Sequence, residues 1–82
     1  MTLQSGERRR SAAIRNARAL GAVLSSVRLE AGLTQEAAAA KSTVPRPYLA
    51  TLETGKDTMA LTRLFHLLEA YGAELRIEWT RP

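Results

Sequence analysis

The sequence predicts a mostly α fold, a bundle of four to five helices followed by one C-terminal β-strand that pairs across a dimer. Three observations lead there. The composition is 45% hydrophobic with only one Trp, two Tyr and one Phe, so Leu, Val, Ile and Ala must build the core, and Ala-rich, Gly-poor chains lean helical. Four stretches read as helices, by apolar spacing or by an unbroken run of helix formers, each bounded by Gly, Pro or a capping hydroxyl. In the last residues the apolar period switches to two.

Eighty-two residues make one small domain, which buries only about 60% of its unfolded surface. A second, enzyme-sized core is excluded. There is no Cys, which removes disulfide frameworks, Cys-ligated zinc and thiol chemistry and leaves packing, or association with another chain, to supply stability. The apolar runs are short, and Glu7 beside Arg8, Arg9 and Arg10 does not open a signal peptide. The expectation is a soluble, non-exported protein of a reducing cytoplasm with no membrane partner.

The net charge of +4 is unevenly placed. Residues 1–18 carry Arg8, Arg9, Arg10, Arg15 and Arg18 against the single acid Glu7, while residues 19–82 hold seven basic and seven acidic side chains. The body is neutral and the excess sits on a leader. A polyanion binder would carry such an arm, because each Arg laid on a phosphate releases counterions, and a solvated tail is the plain alternative.

Element by element, Met1 to Arg10 shows no hydrophobic period and reads as a mobile arm. Ile14, Leu20, Val23, Leu24 and Val27 then recur at helical spacing, and Glu30-Ala31-Gly32 closes the run with a glycine suited to a left-handed cap, so a first helix ends near Ala31 and starts between Ser11 and Ala19. Thr34 offers an N-cap hydroxyl to a short second helix over Gln35 to Lys41. Pro45 keeps Val44 out of the α region and can itself open a third helix, about Pro45 to Thr54, with Pro47 in its first turn and Gly55 at its end. Leu61, Leu64, Phe65, Leu68 and Tyr71 form the apolar stripe of a fourth helix that stops at Gly72. Beyond it Leu75, Ile77 and Trp79 alternate with Glu74, Arg76, Glu78 and Thr80, the pattern of a strand, with continued helix or fraying as the alternative. The resulting division is an arm at 1–10, a helical domain at 11–72 and a C-terminal dimerisation strand at 73–82.

Two short helices joined by three or four residues can present the second to a major groove. Leu33-Thr34-Gln35-Glu36, Ala39, Val44, Leu49, Leu52, Glu53, Gly55, Leu61 and Leu64, in ungapped spacing from about Leu20 to Gly72, closely resemble the lambda-repressor-like (Xre-type) helix-turn-helix domain. The resemblance implies roles. Thr34 caps the second helix and aims its N–H groups at the DNA backbone, and Gln35 touches a phosphate or a base edge. Arg46, Pro47, Tyr48 and Thr51 take the outward positions of the recognition helix, with Arg46 suited to bidentate reading of guanine and Tyr48 to a thymine methyl or a phosphate. Lys56 is a phosphate contact. Arg28 and Glu53 match the family's structural ion pair between the first and third helices. His66, the sole histidine, has no Cys or second His beside it in sequence and reads as a surface or packing residue, so no metal, cofactor or catalytic role is expected. The chain departs from the family pattern at Ala38 and Ser42, which stand where large apolar residues are usual, at Thr43, where the turn commonly has Gly, and at Pro45 and Pro47. A thin core between helices two and three is expected.

A lone amphipathic strand needs a partner for its backbone and cover for its Trp79 face. The expected partner is the same strand of a second copy, an antiparallel ribbon burying Leu75, Ile77 and Trp79 and spacing two recognition helices for a palindromic operator in double-stranded DNA. A helix-turn-helix with this strand, left through Gly72-Ala73-Glu74-Leu75-Arg76-Ile77-Glu78, is similar to the HipB-type antitoxins. That resemblance implies a homodimeric bacterial repressor, at the nucleoid when bound to DNA, that autoregulates its operon and holds a HipA-like kinase toxin. A stand-alone phage or restriction-controller repressor, and a protein-interaction module that has lost DNA binding, are the alternatives.

Overall fold

The computed structural model describes residues 8–81. Along the chain they form β1 (Arg8–Ile14), α1 (Ala17–Glu30), α2 (Gln35–Ser42), α3 (Arg46–Glu53), α4 (Met59–Tyr71) and β2 (Leu75–Arg81). The two strands make one antiparallel sheet in which Ile14 faces Leu75, Ala12 faces Ile77 and Arg10 faces Trp79. The chain is thus a mostly helical helix-turn-helix bundle whose terminal segments are stitched together.

Local chemistry sets the helix ends. Asn16 Oδ1 accepts from the Ala19 N–H at 2.8 Å, Thr34 Oγ1 from Ala37 at 3.0 Å and Thr58 Oγ1 from Leu61 at 3.2 Å, so three of the four helices start on a side-chain cap. The Leu33 N–H returns to the Arg28 carbonyl and the Ala73 N–H to the Leu68 carbonyl, the backward bonds that close α1 and α4. β2 alternates as its sequence pattern requires, with Leu75, Ile77 and Trp79 half-buried and Arg76, Glu78 and Thr80 exposed.

The packing centres on α1. Ile14 and Ala17, each 2% exposed, are the buried hydrophobic side chains where β1 turns into α1. At the other contact α1 meets the end of α3 backbone to backbone: a Cβ on Gly21 would lie 2.5 Å from the Leu52 carbonyl oxygen, and one on Gly55 would lie 2.8 Å from Arg18 Cα. Only glycine fits at either place, and Gly55 is held at φ +78° as well.

Two expectations are corrected here. Arg8, Arg9 and Arg10, assigned to a mobile arm, belong to β1, and Ser11–Ile14, assigned to the helical domain, continue it; Met1–Glu7 of that arm lie outside the described residues. The strand at 75–81 also has a partner in its own chain. The backbone groups along its inner edge pair with those of β1, while Ile14 and Ala12 extend the apolar face of Leu75 and Ile77. That face turns to α1 and not outward to a second copy: the Trp79 indole N–H donates to Glu30 Oε1 at 3.0 Å, and Arg10 pairs with the same carboxylate at 3.3 Å.

Candidate nucleic-acid interface

α2 and α3 are joined by Thr43, Val44 and Pro45. Thr43 makes the turn at φ 61°, ψ 23°, and among the described residues it is the one non-glycine with positive φ. A β-branched residue is strained there by roughly 1–2 kcal/mol, the consequence of having Thr where this turn favours Gly. Pro45 then supplies an extended residue from which α3 departs, and the Tyr48 and Leu49 N–H groups both close on its carbonyl, at 3.0 and 3.1 Å.

The base of α3 is locked by charge. Arg28 grips Glu53 with two parallel bonds, Nε to Oε2 at 2.7 Å and Nη2 to Oε1 at 3.0 Å, and donates a third from Nη1 to the Leu33 carbonyl at 2.8 Å. The hydrogen bond from Arg28 holds the Glu53 carboxyl below its ordinary pKa and raises that of Arg28 in turn; desolvation opposes both shifts. Gln35 Nε2 also donates to Glu53 Oε1, at 3.2 Å. One network therefore ties the end of α1, the start of α2 and the end of α3.

Locking that end leaves the opposite face of α3 open. Leu49, Ala50, Leu52 and Glu53 turn inward, while Arg46, Pro47, Tyr48 and Thr51 are exposed, Tyr48 at 62%. Thr51 Oγ1 donates back to the Pro47 carbonyl at 3.0 Å, so the hydroxyl faces outward chiefly as an acceptor. Lys56 stands exposed just past the helix. Because Pro47 has no N–H and no side chain caps α3, backbone donors at this helix start are few, and any hold on phosphate falls to the Arg46 and Lys56 side chains.

The structure brings Arg46, Pro47, Tyr48 and Thr51 to one surface and places Thr34 at the cap of α2. Gln35 is half-buried, and its amide Nε2 donates to Glu53, an inward bond that has no signal in the sequence beyond the proximity its helix position gives. The thin core announced by Ala38 and Ser42 is visible as an apolar groove of about 370 Å³ between α1, α2 and α3, lined by Leu24, Val27, Leu33, Ala38, Val44 and Leu49 among others. His66 is exposed on α4, and no group of three or more His, Cys, Asp or Glu among the described residues could hold a metal ion. No helix among them is long and apolar enough to cross a membrane.

No curated protein and no solved structure matches the chain. A family model described as a helix-turn-helix domain matches residues 19–78, a span that opens in the first turn of α1, includes the open face of α3 and its locked base, and runs into β2. The protein belongs to the helix-turn-helix domain family of DNA-binding regulators.

Proposed function

We propose that this chain is a sequence-specific transcriptional repressor that reads a palindromic operator as a homodimer, with α3 in the major groove, and that it is the antitoxin of a type II toxin–antitoxin pair which autoregulates its operon and binds a HipA-like kinase toxin. The observation that carries the DNA-reading part is the division of α3, whose inner side is fastened by Arg28, Gln35 and Glu53 while Arg46, Tyr48 and Thr51 stand exposed. A recognition helix needs both properties, because base edges are read only by side chains held in register. The toxin-binding part is supported by resemblance alone, through the exit from α4 into β2. In this reading the protein is not an enzyme, and it works in the bacterial cytoplasm.

Arg46→Ala and Lys56→Ala separate readout from grip. Binding assays on the operator and on random DNA should show that Arg46→Ala loses about 1–3 kcal/mol of discrimination at one base pair. Lys56→Ala should weaken all sequences alike and lower the salt slope by about one unit. Equal losses for Arg46→Ala on both kinds of DNA would contradict base reading. A second reading, a protein-interaction module that has lost DNA binding, is favoured by the scarcity of backbone donors at the start of α3, and absence of any salt-sensitive binding to DNA upstream of the gene would select it.

A further inference from the structure

α4 is the helix that its own chain covers on one side only. Among the described residues it makes only slight contact with any other element, and an open cleft of about 560 Å³ lies along it, lined by Ile14, Phe65, Leu68 and Leu75 among others. None of its six large apolar side chains from Leu61 onward is buried. Leu61, Phe65 and Leu68 are half-buried on the side toward the rest of the chain, but Leu64, Leu67 and Tyr71 are 40%, 49% and 73% exposed. An amphipathic helix of 13 residues is marginal without tertiary packing, so a face of this kind requires cover.

The spacing of the exposed residues says what covers it. Ala60, Leu64, Leu67 and Tyr71 follow one another at intervals of four, three and four, the repeat of a helix that packs against another helix along a seam. The stripe also complements itself. If two copies of α4 lie antiparallel about a two-fold axis between positions 65 and 66, Leu64 meets Leu67 of the other copy and the small Ala60 meets the large Tyr71, so each contact pairs matched volumes and recurs twice. No charged residue lies in the stripe, and the opposed helix dipoles agree. The β1–β2 pairing removes the alternative in which the C-terminal strands of two copies provide each other's only partner.

We propose that α4 is the dimerisation seam of this protein, formed by Ala60, Leu64, Leu67 and Tyr71 against the same residues of a second copy in antiparallel pairing. The inference rests on the homodimeric reading above and names the surface that reading lacks. The pairing sets the distance between the two α3 helices, and so the half-site spacing of the operator.

Sedimentation of the full chain and of the double variant Leu64→Glu/Leu67→Glu tests it, since both positions are exposed and the monomer should keep its helical signal. The variant should raise the dimer dissociation constant on the order of 100-fold or more. Because the chain has no Cys, single-Cys variants report geometry without background. An oxidised mixture of Leu64→Cys and Leu67→Cys chains should yield more cross-linked dimer than either alone, and Tyr48→Cys on α3 should yield none. A dimeric wild type that stays dimeric with both glutamates, or cross-links no better in the mixture, overturns the seam and leaves the dimeric reading standing. A wild type that is monomeric at about 100 μM overturns both and leaves a different protein as the occupant of the stripe.

Discussion

At the residue scale, Glu53 organises the molecule. It receives Arg28 in a fork and Gln35 beside it, linking three helices that sequence separates by up to 25 positions. Its carboxyl titrates below its ordinary value in the fold, so the stability it contributes is fully present above the unfolded pKa of about 4.3 and is lost as pH falls through the lower folded value. Glu53→Gln removes that pH dependence and leaves Arg28 without its counter-charge. Melting temperatures of wild type and variant should therefore differ most near pH 7 and converge as the pH drops below about 4. A gap that holds constant down to pH 3 would mean that the ionised pair contributes nothing. Gly21 acts at the same scale by subtraction, since the missing Cβ is what lets α1 touch the backbone of α3.

At the scale of elements, β1 shows how a non-local need overrides weak local preference. Arg8–Ile14 is Arg- and Ala-rich, with Ile14 its single large apolar residue, and nothing in that composition favours a strand. β2 supplies the reason, because its backbone requires a ladder and its apolar face requires extension, and β1 provides both. Ile14 is where this matters most, being 2% exposed at the junction of β1 and α1 and paired with Leu75. Ile14→Ala should destabilise the protein by roughly 2–4 kcal/mol, whereas Ser11→Ala on the exposed face of the same strand should change stability by less than about 0.5 kcal/mol. Similar denaturation midpoints for the two variants would show that β1 is not anchored through Ile14. The helices, by contrast, were legible from Thr34, Pro45, Gly55 and Gly72, since caps and breakers act within a turn or two.

At the scale of the whole molecule, the fully buried hydrophobic side chains amount to Ile14 and Ala17 among the described residues, and α4 stays largely uncovered. So little enclosed core gives a single chain little stability to spare, and whatever covers α4 contributes to folding directly. If a second copy does so, the melting temperature should rise with protein concentration across about 1–100 μM. A melting temperature independent of concentration would show that one chain folds on its own resources. The charge distribution also looks different in three dimensions: Arg9 lies 3.5 Å from Glu78 and Arg10 3.3 Å from Glu30, so part of the basic leader has acidic neighbours within the fold, in solvent-accessible pairs weak enough to exchange for phosphate.

The four helices and the alternation of β2 were readable along the chain, because caps and periods operate over a few residues, while the family of α2 and α3 and the thin seam at Ala38 and Ser42 came from the resemblance of the motifs to the helix-turn-helix pattern. It took the three-dimensional arrangement to make Arg8–Ile14 a strand, to turn Gln35 inward to Glu53, and to leave Leu64 and Leu67 on an uncovered face. Each of those depends on which distant group arrives to satisfy a backbone donor, a carboxylate or an apolar surface, and local periodicity holds no record of such arrivals.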